Sequence, residues 1–186
     1  MLNSLLVVGW LSAAIPQVGE TAPDFTVKDT AGTTYTLSEM VKKGPVIVAF
    51  FPKAFTSGCT KELTAYRDRY KDIEQAQGQV LAFSTDDAET LTRFKTELKA
   101  PFVFIPDPDG KVVGAYDVKM PVVTVSKRYT FVVGEDRKVL KVSEGKDAID
   151  VSGAIAACPL RKSSAAKPAA APAGTTPPTQ AAPATK

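Results

Sequence analysis

Val46-Ile47-Val48-Ala49-Phe50-Phe51 is a run of six apolar residues, β-branched and aromatic, with no alternation. Such a run predicts a strand buried on both faces of a sheet, and Pro52 ends it. Gln79-Val80-Leu81-Ala82-Phe83-Ser84 predicts a second core strand after Gly78. Between the two the period changes. Leu63, Tyr66, Tyr70 and Ile73 recur at three- and four-residue intervals, the spacing of one helical face, and one turn earlier the stripe reaches Cys59. Leu91, Phe94 and Leu98 mark another amphipathic helix, with Asp86 as its expected N-cap. Phe102 to Ile105 predicts an extended segment, Tyr129 to Val133 and Lys138 to Val142 a hairpin around Glu135-Asp136, and Ala148 to Ala157 a closing helix. Near the start, Asp24 to Lys28 and Thr33 to Leu37 predict a hairpin around Ala31-Gly32. A brief helix capped by Ser38 and ending near Gly44 follows it. Strands alternating with helices predict an α/β fold, a central mixed sheet flanked by helices.

The pattern changes at both ends. Leu2 to Ile15 is apolar but too short to span a bilayer. Residues 1–15 read as a signal peptide or N-terminal anchor, with small residues at Ser12-Ala13-Ala14 where a signal peptidase would cut. Export to a periplasmic or other extracytoplasmic compartment is the expectation, one that permits disulfides, with a cytoplasmic location as the alternative. Residues 17–160 are expected to form one domain. Residues 161–186 are rich in Ala, Pro, Ser, Thr and Lys without apolar periodicity, and are expected to form a disordered tail.

Composition narrows the chemistry. The chain has 186 residues, 44% hydrophobic, enough for one sizeable core. Its net charge is only +3, and both signs mix along Lys61 to Glu74, so no basic face argues for nucleic acid. Two cysteines and no histidine are too few soft ligands for a zinc or iron–sulfur site, so no metal or cofactor is expected. Asp107-Pro108-Asp109-Gly110 reads as a turn, because Lys111 and Val118 stand where a calcium loop needs oxygen ligands. Thr124 and Tyr129 read as packing residues.

The absence of histidine also constrains Cys59. A cysteine nucleophile needs either an imidazole base or surroundings that favour the thiolate, and only the second is open here. Cys59 lies where a strand gives way to a helix, so unpaired N–H groups and the helix dipole would favour an anion. Cations must add to that. A lone thiol on a core-facing turn is otherwise an inert small hydrophobe.

Pro52, Thr56 and Cys59 stand in the pattern Pro-x-x-x-Thr-x-x-Cys, preceded by Val18-Gly19-Glu20-Thr21-Ala22-Pro23-Asp24-Phe25. Cys59-Thr60-Lys61-Glu62-Leu63 and Arg128-Tyr129-Thr130-Phe131-Val132-Val133 follow in order. From about Gln17 to Leu160 the chain resembles the peroxiredoxin family, of alkyl hydroperoxide reductase and thiol-specific antioxidant type. Tyr66-Arg67-Asp68 and the overall spacing are most similar to the Q-type, or bacterioferritin-comigratory, branch. The resemblance implies a thioredoxin-like fold and a thiol-dependent peroxidase in antioxidant defence. Hydrogen peroxide and organic hydroperoxides would be reduced through a sulfenic acid on Cys59, with a thiol such as thioredoxin or glutathione as reductant.

By the same resemblance, Thr56, Arg128 and the amides around Gly58 and Cys59 would hydrogen-bond the reacting peroxide. Pro52 would shield the thiolate, and Glu62 would orient Arg128 by a charge-assisted bond. Ser57 stands where the branch often has proline, and Thr64 where many members carry a resolving cysteine. Cys158, in Ala156-Ala157-Cys158-Pro159, is then the one internal candidate to resolve the sulfenic acid, with buried packing as its alternative. A disulfide with Cys59 is the expectation if the chain is exported. Monomer and homodimer both remain open. A thioredoxin-type disulfide oxidoreductase would need Cys-x-x-Cys, which Cys59-Thr60-Lys61-Glu62 lacks. A catalytically silent binding module on the same scaffold is the remaining alternative.

Overall fold

In the computed structural model, residues 14–158 are described. The tail reading of 161–186 lies outside them, as does the leader reading of 1–15 apart from Ala14 and Ile15. In chain order the elements are β1 (Thr26–Lys28), β2 (Thr34–Thr36), α1 (Leu37–Met40), β3 (Val46–Phe50), α2 (Ser57–Asp68), α3 (Tyr70–Gln75) and β4 (Gln79–Ser84). They continue with α4 (Ala88–Leu98), β5 (Val103–Pro106), α5 (Lys111–Ala115), β6 (Tyr129–Val133), β7 (Val139–Glu144) and α6 (Ser152–Ala156).

β1 and β2 form a separate hairpin. The other strands make a five-stranded sheet in the order β5-β4-β3-β6-β7. β3, β4 and β5 run parallel, while β6 is antiparallel to β3 and to β7. Every residue of β3 is buried, as its unbroken apolar run requires of a central strand. Ile47 and Ala49 face a core shared with Leu63, Tyr66, Phe94 and Phe104. Val46, Val48 and Phe50 face the opposite core, where the Tyr116 ring lies 5.1 Å from those of Phe50 and Phe131. Register then fixes which ends meet. Phe50 pairs with Tyr129, so the loop leaving β3 lies beside the residues that lead into β6.

Several boundaries differ from the sequence expectation, each for a local reason. The stripe through Leu63, Tyr66, Tyr70 and Ile73 does not lie on one helix. Arg69 leaves the helical region (φ −105°, ψ 15°) and divides it into α2 and α3. Ser38 lies inside α1, whose N-cap is Thr36. The Ser38 N–H is satisfied by Asp24 Oδ1 at 3.0 Å, so a distant side chain does the capping. Asp87, not Asp86, caps α4, accepting the Thr90 N–H at 2.7 Å. The turn at Asp107 continues into α5 because the Asp107 carboxylate accepts the N–H groups of Lys111, Val112 and Val113, each at 2.9 Å. α6 is shorter than expected, and Thr124 is exposed rather than packed.

Phe131 is fully buried on β6 between β3 and β7. Phe131→Ala is expected to cost about 3–5 kcal/mol of stability, seen as a lower urea midpoint with unchanged m-value. A loss under about 1 kcal/mol would contradict this packing.

Candidate active site

The site is built where β3 ends and α2 begins. Pro52 is half-buried at the exit of the strand. Phe55 takes a positive φ of 63°, and Thr56, in an extended conformation, is the N-cap of α2. The first intrahelical bond runs from the Thr60 N–H to the Thr56 carbonyl at 2.9 Å. Cys59 therefore sits in the first turn, among N–H groups that have no partner further up the helix. Its side chain is fully buried in the core with Leu63 and Tyr66.

A cation reaches this sulfur from the other side of the β3–β6 pair. Arg128, immediately before β6, donates from Nη2 to Cys59 Sγ at 3.2 Å. Its Nη1 donates to Glu62 Oε2, so one guanidinium bridges thiol and carboxylate. Glu62 lies on α2 one turn beyond Cys59 and is completely buried. Gly58 leaves the guanidinium its room, since a Cβ there would stand 3.0 Å from Arg128 Nη2. Burial pushes the Glu62 carboxyl up from 4.5 to about 7, against the opposing pull of Arg128. Its second oxygen, Oε1, has no hydrogen-bond partner among the described residues. Arg128 is held above its ordinary value: burial works against its charge, but Glu62 and Cys59 outweigh it.

Thr56 is exposed, and its hydroxyl donates to the Lys53 carbonyl at 3.0 Å. With that hydrogen committed, Oγ1 keeps its lone pairs free to accept. Of the residues singled out from sequence, Cys59, Glu62 and Arg128 are in direct contact or bridged. Pro52 and Thr56 flank them on the connecting loop. Among the described residues, no group of three or more His, Cys, Asp and Glu is placed to hold a metal ion.

Cys158 is elsewhere. Its thiol is buried and donates to the Ala154 carbonyl at 3.5 Å, and burial pushes it up to about 11. It lies beside Gly78, where a Cβ would stand 3.7 Å from its sulfur. Gly78 precedes β4, whose first residue pairs with Val46 at the start of β3, while Cys59 follows the far end of that strand. The length of β3, about 13 Å, separates the two ends. A disulfide needs Cα atoms within about 7 Å, and both thiols are free.

Sequence reading missed two further features of this loop. Asp86 is buried and accepts the Ala54 N–H at 2.7 Å, rather than capping a helix. Phe55 places its ring 4.9 Å from that of Phe94, with the Arg93 guanidinium 5.5 Å above it. Two consecutive aspartates after a core strand, where one cap suffices, were the available signal for Asp86.

Comparison with known proteins adds an independent line. The AhpC/TSA family model matches residues 18–142. The crystal structure of peroxidoxin BcpB from Mycobacterium tuberculosis is similar with a TM-score of 0.72 and 32% identity, covering 76% of this chain and 96% of that one. Peroxiredoxin Q from Xanthomonas campestris shares the fold, with a TM-score of 0.68 at 22% identity over 78% of this chain and 96% of that one. Among sequence relatives, chloroplastic peroxiredoxin Q of Oryza sativa subsp. japonica is 36% identical over 119 residues, 63% of this chain and 54% of that one.

The raised Glu62 carboxyl makes a prediction about stability. The folded chain holds this proton more tightly than the unfolded chain, whose carboxyl titrates near 4.5, so the contribution is full below that pH and is lost as pH rises through about 7. Glu62→Gln is expected to flatten the fall in unfolding free energy across that window in urea titrations. Parallel wild-type and variant curves would show that the Glu62 carboxyl is not raised.

Proposed function

The chain belongs to the AhpC/TSA family and is a thiol-dependent peroxidase, and we propose that Cys59 is its nucleophile, with Arg128, Thr56, Glu62 and Pro52 as its supporting residues. The observation that carries this reading is the Arg128 guanidinium lying 3.2 Å from the sulfur in the first turn of α2. A free thiol is only about 3% ionised at neutral pH, so complete ionisation gains about thirtyfold. The larger part of the acceleration must come from stabilising charge as the O–O bond stretches.

The Cys59 thiolate attacks the terminal oxygen of the hydroperoxide, forming an S–O bond as the O–O bond breaks. The leaving oxygen takes the electron pair and the hydroperoxide proton, and departs as water or an alcohol. Sulfur is oxidised by two electrons to the sulfenic acid level and the peroxide is reduced by two. Thr56 Oγ1 accepts from the hydroperoxide O–H, orienting it before attack. Arg128 stabilises the thiolate and then the charge spread over the reacting oxygens. Glu62 holds the other edge of the guanidinium, and Pro52 limits access of bulk water to the sulfur.

For the return to thiolate we propose an external thiol. It attacks the sulfenic sulfur, water leaves, and a second thiol reduces the mixed disulfide. Two observations favour this cycle over an internal Cys59–Cys158 disulfide. Cys158 lies at the opposite end of β3, and burial raises its thiol to about 11, which leaves little thiolate near neutrality.

Cys59→Ser is expected to abolish peroxide consumption with a thiol reductant. Wild type pulsed with one equivalent of hydrogen peroxide should gain one oxygen by intact mass. Peroxidase activity surviving in metal-free Cys59→Ser would remove Cys59 from the role.

Cys158→Ala should form the Cys59 sulfenic acid at a rate within about twofold of wild type. A Cys59–Cys158 linked peptide in oxidised wild type, absent from the variant, would restore the internal resolver.

A further inference from the structure

We propose that Asp86 is a positioning residue for the peroxide step, holding the Pro52–Thr56 loop on the path that aims Thr56 and opens α2 at Cys59. The proposal rests on the reading of Cys59 as the nucleophile. Asp86 sits just past the end of β4, with its carboxylate almost wholly out of water. A buried carboxylate is costly unless donors and a counter-charge surround it, so its partners show what it holds. Oδ2 accepts the Ser84 hydroxyl at 2.8 Å and the Ala54 N–H at 2.7 Å, and Oδ1 faces the Lys53 ammonium. Ser84 is on its own strand; the other two partners belong to the loop that leads into the active site. Helix α4 makes no claim on Asp86, because Asp87 caps it.

The loop needs such a hold. Phe55 is a bulky residue at φ 63°, a left-handed conformation that persists only where the surroundings impose it. Asp86 pins the residue immediately before it. On the other side, the Phe55 ring rests against Phe94 beneath Arg93, so the strained residue is fixed at its backbone and its ring. The fixed backbone passes directly to the chemistry. The Lys53 carbonyl takes the Thr56 hydroxyl hydrogen at 3.0 Å, and the Thr56 carbonyl takes the first intrahelical bond of α2, from Thr60. Releasing Lys53 and Ala54 therefore turns Thr56 Oγ1 away from the hydroperoxide while Arg128 stays on the sulfur.

A residue that merely anchored β4 to α4 would not distinguish one electrophile from another, and that difference is the test. Two rates are measured on the full chain at one pH: sulfenic acid formation with hydrogen peroxide, and alkylation by iodoacetamide, which needs the thiolate but no aligned O–O bond. Asp86→Asn keeps the shape and one acceptor but loses the charge facing Lys53. It is expected to slow the peroxide reaction by about tenfold or more and alkylation by less than about twofold. Ser84→Ala, which removes one donor from Oδ2, should show the same selectivity with a smaller loss, and it carries the test should Asp86→Asn fail to fold. A peroxide rate within twofold of wild type, or both rates falling together, would overturn the proposal. Wild type that forms no sulfenic acid on Cys59 would instead overturn the assignment of the nucleophile.

Discussion

The bridge from Cys59 through Arg128 to Glu62 is the interaction on which the site turns, because one guanidinium links the buried thiol to the buried carboxylate. A fully buried carboxylate with one oxygen unpartnered among the described residues is costly, and the guanidinium offsets much of that cost. The guanidinium, drawn in from water, is held by the carboxylate on one edge and the thiol on the other. Burial raises the proton affinity of the carboxyl, and the guanidinium opposes that rise. The arrangement sets a cation against the sulfur in a chain that has no histidine.

This bridge depends in turn on sheet topology. Cys59 and Arg128 lie far apart in sequence, and only the antiparallel pairing of β3 with β6 makes the exit of one strand adjacent to the start of the other. The parallel pairing of β3 with β4 does the same for Asp86, which follows β4 and so arrives beside the loop that follows β3. The site is assembled from the ends of three inner strands, all at the same end of the sheet. Backbone pairing sets their spacing, and side-chain contacts set only the final alignment.

How much could be read from sequence follows from the same division. The buried strands were legible because a two-sided burial leaves an unbroken apolar run, as in Val46 to Phe51. The helix start at Cys59 was legible because Pro52 ends one period before another begins. The break at Arg69 was not, since Tyr70 and Ile73 continue the stripe of α2 closely enough that periodicity alone cannot see a changed backbone angle. α5 escaped notice because one carboxylate, Asp107, holds its first turn and five residues leave no stripe. At the site, the short motif brought out Pro52, Thr56 and Cys59. The burial of Glu62, the loop-directed role of the Asp86 carboxylate and the remoteness of Cys158 are set by long-range pairing, and polarity along the chain carries no trace of them.

With Cys59 as the nucleophile proposed above, its complete burial has a kinetic consequence. A hydroperoxide is small enough to reach the sulfur through breathing of the loop, whereas a thiol on another protein must bring its own bulk to the same atom. The closed form therefore sorts reagents by size, admitting the oxidant and turning away the reductant. Oxidation and reduction then ask for two different shapes of one chain, and the second exists only while the first turn of α2 is loosened. Where opening of that turn is slower than the chemistry, a mutation that makes the site more rigid quickens the chemical step and still slows the cycle.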